Sequence, residues 1–282
     1  MLLTISIVNW NTTPLLEALL GSISRTAPEL ECEVIVVDNA SSDFVAEKMR
    51  EKYPSVNFIA NTENEGYAHG NNQALELSTG EYVLLLNPDT EVTESALENL
   101  VKFMQEHPEA AAAGGKLVRP DGSVDRSLRS FPYPGPIAWE FLRLSRVFPN
   151  NRLFSAYRMD YFDYETVMEV DQPMGSCLIL SRKAIETIGI MDEQFPIFFN
   201  EVDWLYRAKQ AGFKVFYTPD AVVIHHGAGS TKQVPKQVMS IESHKSLIKF
   251  YEKHFKKRLS PISYYLTIGS IKFSRFLMEL GD

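Results

Sequence analysis

The chain has 282 residues, 45% of them hydrophobic and 23% charged, which supports a folded core and excludes intrinsic disorder, collagen and coiled coil. Its two cysteines, Cys32 and Cys177, form no CxxC pair, so a disulfide framework and a zinc finger are excluded and a reducing compartment fits. The formal charge of −8 disfavours nucleic acid as a partner, because such binding usually requires a basic surface.

The charge is unevenly distributed along the chain. From Lys236 to the end, nine lysines and arginines stand against four acids, a net charge of +5, which leaves −13 for residues 1–235. No run approaches the roughly 20 apolar residues that cross a bilayer, and the N-terminus lacks the basic start and cleavage site of a signal peptide. These features predict a cytoplasmic protein with an acidic body and a basic tail.

In chain order, the first hundred residues alternate short β-branched runs with helical patterns, which is typical of βαβ units and a parallel sheet. The predicted strands are 4–8, 33–37, 57–60 and 82–86. The predicted helices lie between the first two strands, with Leu15, Leu16, Leu19, Leu20 and Ile23 on one face, over 70–78 and over 93–105. Thr93 or Thr90 is the candidate cap of the last helix. This half is typical of a nucleotide-binding α/β fold.

After residue 117 the pattern changes to turn signals and a proline-broken aromatic stretch, so residues 119–172 are predicted to form an insertion over one end of the sheet. Regular elements return further along the chain. We expect an ordered run over 175–181, helices from 182 and over 201–211, and strands over 214–218 and 221–225.

Polar residues end four of the apolar runs. In open parallel sheets, ligands bind beyond the carboxyl ends of the strands. The four endings are Asn9-Trp10-Asn11, Asp38-Asn39, Asn87-Pro88-Asp89 and His225-His226-Gly227. Each alone is typical of a cap or turn, but four at one edge of a sheet predict a ligand site.

Asp89 carries the most specific chemistry of these residues. A carboxylate at the end of a buried strand can bind a divalent cation that neutralises a nucleoside diphosphate, although it can also simply begin a turn. Asp38 can accept the N3–H of uracil or thymine, and Trp10 can stack on that base or merely cover the sheet rim. Three further candidates lie in glycine-containing segments where backbone can approach a ligand closely: Asn64, Gly66 and Asn71.

Taken together, seven segments resemble the family 2 glycosyltransferases of the GT-A fold, closest to the bacterial rhamnosyltransferase-like branch. They are SIVNWN, VIVVDNASSD, NEGYAHGNN, LLLNPDT, MGSCLILSR, FFNEVDW and PDAVVIHHGAGST. The resemblance covers about residues 3–231. The resemblance implies a mostly parallel central sheet flanked by helices. It implies a catalytic domain over 1–235, with a nucleotide-binding half over 1–117 and an acceptor-binding half over 118–235, followed by a helical extension over 236–282.

The implied reaction is an inverting transfer of a sugar from a nucleoside diphosphate to a hydroxyl of a glycan or lipid-linked glycan in cell-surface polysaccharide synthesis. The branch suggests dTDP-rhamnose as donor, with a UDP-sugar as the alternative. By resemblance, Asp38 and Trp10 would hold the base, and Asp89 and His225 would bind Mg²⁺ or Mn²⁺. His225 could instead be a satisfied buried histidine, and which of His225 and His226 points inward stays open.

The resemblance also assigns the remaining candidates, with two departures from the family pattern. In FFNEVDW, Asn200 stands at the first acid of the acidic motif, Glu201 at the base and Asp203 at the last acid. Glu201 could alternatively interact with the helix dipole, and Asp203 could be a structural ion-pair acid. Asn87 stands where an acid often sits, and its amide oxygen can still coordinate a cation or bind ribose. The acceptor side would be lined by Gly175 and Ser176.

The basic tail combines apolar and basic residues in two helical stretches, 244–258 and the segment after Pro261. They could lie on an anionic membrane surface, or pack on the catalytic domain, or form a homodimer contact. Motifs of other nucleotide-dependent enzymes, GxGxxG, GxxxxGK[ST] and GxSxG, are absent from the sequence. The competing hypothesis is a sugar-nucleotide or glycan-binding relative without turnover, which the amides at Asn87 and Asn200 favour.

Overall fold

The computed structural model describes residues 1–227, 229 and 233–279, so part of the predicted GAGS turn and the last three residues of the tail lie outside it. Within the described residues, one sheet of nine strands is flanked by ten helices. The strands are β1 (Leu3–Asn9), β2 (Cys32–Asp38), β3 (Val56–Ala60), β4 (Tyr82–Leu86), β5 (Thr90–Val92), β6 (Ala110–Val118), β7 (Met168–Glu169), β8 (Cys177–Ser181) and β9 (Lys214–His225). The helices are α1 (Thr13–Thr26), α2 (Ala46–Lys52), α3 (Tyr67–Leu77), α4 (Ala96–Glu106), α5 (Pro134–Phe141), α6 (Leu144–Val147), α7 (Arg182–Ile188), α8 (Asn200–Gln210), α9 (Lys236–His254) and α10 (Pro261–Glu279).

The strand order is β3-β2-β1-β4-β8-β6-β9-β5, with β7 paired to β9. Strands β3, β2, β1 and β4 are parallel, and β6 and β9 are parallel to each other. Strand β8 runs antiparallel between β4 and β6, while β5 and β7 run antiparallel to β9. Most of the strands therefore point the same way, and the carboxyl ends of β1, β2, β4 and β9 lie at one edge of the sheet.

The first four predicted strands are confirmed, and their composition explains their places. Every residue of β1 and β4 is buried, which is the expected pattern for central parallel strands covered on both faces. Helix α1 covers one face by burying Leu16, Leu19, Leu20 and Ile23, which share one side of the helix. Leu15 is only half buried.

Strands β5 and β6 are not predicted by the sequence pattern. Strand β6 reads AAAAGGKLV, and alanine and glycine have low strand propensity. Small residues are nevertheless required there, because a Cβ at Gly115 would lie 2.7 Å from the carbonyl oxygen of Ala221. The two strands predicted over 214–218 and 221–225 form the single strand β9, whose pairing with β6 shifts register.

The predicted cap of α4 is wrong. The helix begins at Ala96, and Ser95 occupies the N-cap position with a positive φ and no side-chain capping hydrogen bond. Thr90 lies in β5, and the hydroxyl of Thr93 donates to the carbonyl oxygen of Val222 at 2.6 Å. Both threonines contact β9 because the chain pairs with that strand through β5 before α4 begins.

Both C-terminal helices pack on the domain through one face. The buried residues of α9 and α10 join the same apolar cluster as residues of β8 and α8. They are Leu247, Phe250, Tyr251, Tyr264, Ile268 and Ile271. The hydroxyl of Tyr251 also donates to the carbonyl oxygen of Pro132 at 2.6 Å. The inner faces of α9 and α10 therefore pack on the catalytic domain, which was one of the predicted alternatives for the tail.

A buried ion-pair cluster joins α8 to α9. The fully buried carboxylate of Asp203 accepts from Arg207 Nε at 2.8 Å and from Lys253 Nζ and His254 Nε2, each at 2.7 Å. Burial alone would raise the pKa of Asp203, but the hydrogen bonds from His254 and Lys253 and the charge of Arg207 outweigh it and lower the pKa. Asp203 is therefore held ionised as the centre of the α8–α9 contact.

We expect Asp203→Asn to lower the free energy of unfolding by about 2 kcal/mol, because it removes the fully buried charge that Arg207 and Lys253 pair with, while both cations stay partly exposed to water. Chemical denaturation of both proteins at neutral pH measures the difference. Glu242→Gln is the matched control, since Glu242 pairs with Lys245 on the exposed side of α9 and such pairs contribute about 0.5 kcal/mol or less. Equal stability of D203N and E242Q would contradict the buried cluster.

Candidate active site

Asn9 and Asp38 meet where β1 and β2 end. The carboxylate of Asp38 accepts from Asn9 Nδ2 at 2.8 Å, from the Ser41 backbone N–H at 2.9 Å and from the Ser41 hydroxyl at 2.6 Å. The Thr12 hydroxyl in turn donates to Asn9 Oδ1 at 2.8 Å. Because a carboxylate has about four acceptor positions, the network fixes Asp38 in place and leaves it about one further acceptor position. Sequence reasoning missed Ser41, although a serine three residues after an aspartate is a turn signal.

Trp10 directly follows Asn9 in the sequence and is half buried at the same edge of the sheet. Asn11, the next residue, has φ +52° and uses its side-chain oxygen to accept from the Ser42 backbone N–H at 2.8 Å. The loop after β1 is thus tied to the loop after β2. This tie holds Trp10 close to the Asp38 network.

The three candidates in the glycine-containing segments, Asn64, Gly66 and Asn71, make contacts with other residues of the protein. The Asn64 side-chain oxygen accepts from the Gly66 N–H at 3.0 Å, and Gly66 has φ +97°. A Cβ at Gly66 would lie 2.7 Å from the Pro196 carbonyl oxygen, so the close approach that requires glycine is one of protein to protein. Asn71 is fully buried and accepts from the Ser6 hydroxyl at 2.9 Å. Asn71 therefore holds α3 against β1, whereas Gly66 lets the start of α3 approach Pro196.

Asp89 and His225 lie side by side. Antiparallel pairing of β5 with β9 places Thr90 opposite His225, and His225 Nε2 is 3.7 Å from Asp89 Oδ1. The other carboxylate oxygen, Oδ2, accepts from the Gly229 N–H at 2.9 Å. His226 faces the opposite way, where its Nε2 lies 2.9 Å from Glu91. His225 is therefore the inward-facing histidine.

Asp125 orients the ring of His225. Its Oδ2 lies 3.1 Å from His225 Nδ1, and its Oδ1 accepts from Arg119 at 3.1 Å. The hydrogen bond with His225 lowers the pKa of Asp125 despite partial burial, so the carboxylate is ionised and accepts the Nδ1–H. The tautomer with its proton on Nδ1 has its lone pair on Nε2, facing Asp89. Sequence reasoning missed Asp125 because it lies one hundred residues away in the irregular 119–172 segment.

Asn87 adds an unpartnered acceptor to this region. Its Nδ2 donates to the Ser176 hydroxyl at 3.0 Å, and Ser176 Oγ lies 3.3 Å from His225 Nε2. The side-chain oxygen of Asn87 is buried without a hydrogen-bond partner in the described part of the chain. A buried acceptor in this state is costly unless a ligand satisfies it.

These donors fit a hard divalent cation. Asp89 Oδ1 and His225 Nε2 are close enough to share an ion, Asp125 supplies the outer hydrogen bond that metal-binding histidines usually have, and Asn87 offers a free oxygen. Across residues 1–227, 229 and 233–279, no group of three or more His, Cys, Asp or Glu side chains is arranged to hold a metal. A cation here would therefore take further ligands from a diphosphate or from water.

Glu201 lies at the start of α8, beside the segment that carries Gly175 and Ser176. A Cβ at Gly175 would lie 3.5 Å from Glu201 Cγ, and the Tyr67 hydroxyl donates to the Gly175 carbonyl oxygen at 3.2 Å. Burial raises the pKa of Glu201 to about 6, against the opposing effect of the backbone N–H groups of Glu201 and Val202. Burial and the charge of Glu201 also raise the pKa of Tyr67. This environment suits a proton acceptor that works near neutral pH.

Asn200 and Asp203, the neighbours of Glu201 in the motif, have structural contacts instead. Asn200 is fully buried, donates to the Ile197 carbonyl oxygen at 2.9 Å and accepts from the Glu201 N–H at 2.7 Å. A carboxylate could not donate to Ile197, so the amide suits this turn. Asp203 belongs to the α8–α9 ion-pair cluster, which favours the ion-pair alternative over a role as reserve base.

Comparison with known proteins connects this site to a family. The family described as "Glycosyl transferase family 2" matches residues 4–189. The N-acetylglucosaminyl-diphospho-decaprenol L-rhamnosyltransferase of Mycobacterium tuberculosis is 27% identical over 96% of this chain and 91% of its own length. The dTDP-rhamnosyl transferase RfbF of Shigella flexneri is 22% identical over 82% of this chain and 72% of its own.

Solved structures give the same fold. The mannosyltransferase PcManGT of Pyrobaculum calidifontis, in complex with GDP-Man and Mn²⁺, has a TM-score of 0.60 at 21% identity, covering 99% of this chain and 70% of that one. S. aureus TarS 1–349 has a TM-score of 0.58 at 15% identity, covering 98% and 72%. The chain thus has the GT-A fold, as the resemblance of its motifs predicts. The chain belongs to glycosyl transferase family 2 and is rhamnosyltransferase-like.

We expect Gly66→Ala to lower the free energy of unfolding by about 3 kcal/mol, because a side chain at this φ is strained and its Cβ meets Pro196. Gly122→Ala is the control. Gly122 also has a positive φ of +80°, but a Cβ there meets nothing within 4 Å, so we expect a cost of only about 1 kcal/mol. Thermal and denaturant unfolding measure both values. An equal cost at the two positions would mean that contact with Pro196 does not matter.

Proposed function

We propose that the protein is a metal-dependent inverting rhamnosyltransferase that moves rhamnose from dTDP-rhamnose to a hydroxyl of a lipid-linked glycan during polysaccharide synthesis. The observation that carries the proposal is the pairing of Asp89 with the oriented His225 at the sheet edge where Asp38 also ends its strand. The functions of two relatives support the choice of donor and acceptor. One relative acts on a diphospho-decaprenol acceptor, and another is a dTDP-rhamnosyl transferase.

The donor would bind along the carboxyl edge of β1, β2 and β4. Asp38, held by Asn9 and Ser41, has about one acceptor position left for the N3–H of a pyrimidine base, and Trp10 would stack on the ring. The unpartnered side-chain oxygen of Asn87 would bind the ribose or share the cation. A UDP-sugar satisfies the same contacts with the base, so the choice of donor is a matter for direct measurement.

Asp89 Oδ1 and His225 Nε2 would hold Mg²⁺ or Mn²⁺ on the donor diphosphate. The cation, when bound, neutralises the diphosphate and stabilises the charge that develops on it as it departs. Asp125 keeps the His225 lone pair on Nε2, and the Gly229 N–H fixes the second oxygen of Asp89. Both contacts reduce the reorganisation that binding requires.

Glu201 would act as the general base. The acceptor hydroxyl attacks the anomeric carbon from the face opposite the diphosphate, forming the new glycosidic bond as the bond to the diphosphate breaks. The hydroxyl proton passes to the Glu201 carboxylate. A pKa of about 6 leaves Glu201 ionised at neutral pH while making it a stronger base than an ordinary glutamate. Gly175 and Ser176, beside Glu201 and His225, would line the acceptor side.

The direct test incubates the enzyme with dTDP-rhamnose, Mn²⁺ and a polyprenyl diphosphate that carries N-acetylglucosamine. We expect a rhamnosylated lipid and free dTDP in equal amounts, and no product with chelator. UDP-glucose and GDP-mannose are the comparison donors. Binding of dTDP-rhamnose without transfer or donor hydrolysis would instead favour a sugar-nucleotide-binding relative. Transfer from another donor would change the proposed donor sugar and leave the proposed reaction in place.

We expect Glu201→Gln to lower kcat by about 100-fold to 10,000-fold, because the amide cannot take the hydroxyl proton. Affinity for the nucleotide should stay nearly unchanged, since Glu201 lies on the acceptor side. In the unmodified enzyme, kcat should fall about tenfold per pH unit below about pH 6, as protonation removes the base. Tyr67 faces Glu201 but stays protonated throughout this range, because its pKa is raised.

Glu186→Gln, an exposed acid on α7, is the matched control and should keep full activity and the same pH profile. Initial rates from pH 5 to pH 8 and isothermal titration with dTDP complete the measurement. If E201Q retained turnover with the same acid limb, Glu201 would not be the base.

We expect Asp125→Ala to weaken Mn²⁺ binding by about 10-fold to 100-fold in the presence of dTDP, because His225 loses the partner that sets its tautomer and orientation. Asp125→Asn retains an oxygen acceptor, so its affinity for Mn²⁺ should lie between those of the unmodified protein and of D125A. The electron paramagnetic resonance signal of free Mn²⁺ gives the affinity without any need for turnover.

Asp121→Ala controls for disturbance of the same turn, since Asp121 accepts from Ser123 and has no contact with His225 among its described bonds. It should bind Mn²⁺ as the unmodified protein does. If D125A and D121A bound the ion equally well, Asp125 would have no role in positioning His225.

A further inference from the structure

Helix α10 has two apolar faces, and only one of them is used by the fold. Tyr264, Ile268 and Ile271 are buried against the domain. A second set of residues faces outward, and we name it the apolar stripe: Ile262, Tyr265, Leu266, Gly269, Phe273 and Phe276. At about 100° per residue, the stripe falls within about 100° of the helix surface, opposite the buried residues.

The apolar stripe is strongly exposed. Ile262 is 74% exposed, Leu266 70% and Phe273 61%. Single exposed apolar residues are normal, but a contiguous line of them along a helix marks an interaction surface. The inner face already accounts for the packing of α10, so the stripe is not needed for it.

The segment that follows α5 has a similar pattern of exposed residues. Helix α5 packs beside α10, and the chain that follows it exposes further large apolar side chains. They are Leu142, Val147, Phe148 and Leu153. Exposed Arg143, Arg146 and Arg152 are interleaved with them, as in segments that lie on lipid headgroups.

The charges around the stripe identify its partner. From Lys256 to Phe276 the sequence has five basic residues and no acid, and residues 142–152 contain three arginines and no acid. Lys256 and Lys257 are exposed in the turn that precedes α10, and Lys272 is exposed on the helix itself. An anionic surface satisfies both the apolar side chains and this positive rim.

A second copy of the chain satisfies them less well. A symmetric dimer through the stripe would place each basic rim against itself, and like charges across an interface oppose association. The acidic body, with a net charge of −13 over residues 1–235, also favours an orientation with α10 toward an anionic surface. Within the described part of the chain, no helix is long and apolar enough to cross a membrane, so α10 would lie along the surface.

We propose that the apolar stripe of α10 and its basic rim dock the protein onto the surface of an anionic phospholipid bilayer. The Asp203 cluster and the inner faces of α9 and α10 connect this docking surface to α8, which carries Glu201. The proposal does not depend on the identity of the donor or the acceptor. It can therefore be tested by measuring binding to lipid vesicles without donor or acceptor.

The test is flotation of the full chain with vesicles of phosphatidylcholine alone, or of phosphatidylcholine and phosphatidylglycerol in equal parts. We expect binding to the mixed vesicles that weakens as salt is raised. Leu266→Gln combined with Phe273→Gln should reduce that binding about tenfold or more, because two exposed apolar anchors are lost. Lys256→Glu combined with Lys257→Glu should reduce binding to the anionic vesicles while leaving the stripe intact.

Val45→Gln combined with Leu77→Gln is the matched control, since both residues are exposed apolar side chains outside the apolar stripe, within the predicted nucleotide-binding half over 1–117. This variant should float as the unmodified protein does. Thermal unfolding of every variant confirms that the fold is intact. Failure of the unmodified chain to float with anionic vesicles would overturn the proposal. So would a dimer in sedimentation that L266Q/F273Q dissociates, which would assign the stripe to a second copy.

Discussion

The candidate site depends on the antiparallel pairing of β5 with β9. This short pairing places Thr90 opposite His225, and it thereby brings Asp89, which precedes β5, within 3.7 Å of a histidine 136 positions later in the chain. Strand β9 is itself held by its parallel pairing with β6. Loss of that register by one residue would turn His225 away and bring His226 toward Asp89, because neighbouring strand residues face opposite sides. The metal chemistry proposed here therefore depends on sheet register as much as on the identity of the ligands.

Helix α8 places two acids, two residues apart, in opposite electrostatic environments. Burial raises the pKa of Glu201 to about 6, whereas cations from α8 and α9 lower the pKa of Asp203. Residues i and i+2 lie on different sides of a helix, so one acid can face the acceptor side while the other holds the C-terminal helices. The same motif thus serves the proposed chemistry and the packing. A carboxylate with cations around it is a poor proton acceptor, which is why the geometry favours Glu201 as base.

The C-terminal helices connect the proposed site to the proposed membrane surface. Helix α9 is fastened to α8 by the Asp203 cluster, and α10 packs on α9 with its apolar stripe outward. An enzyme that uses a lipid-linked acceptor would gain from such an arrangement, because docking restricts the protein to the layer in which the acceptor diffuses. The charge asymmetry of the sequence and the two-faced apolar pattern of α10 are then parts of one function.

The α/β class, the first four strands and the family can be predicted from the sequence, because long apolar periodicities and strand-end motifs are local features. The sequence also indicates that Asn9, Asp38 and His225 end their strands and that Asn87 follows β4, and hence that they share an edge. Three features are seen only in the folded chain: His225 points inward, Asp125 orients it, and Asp203 serves packing. Strand β6 likewise became visible only in three dimensions, since its alanines and glycines form a strand where neighbours leave no room for larger side chains. These outcomes depend on contacts between residues far apart in the chain, and no local pattern encodes such contacts.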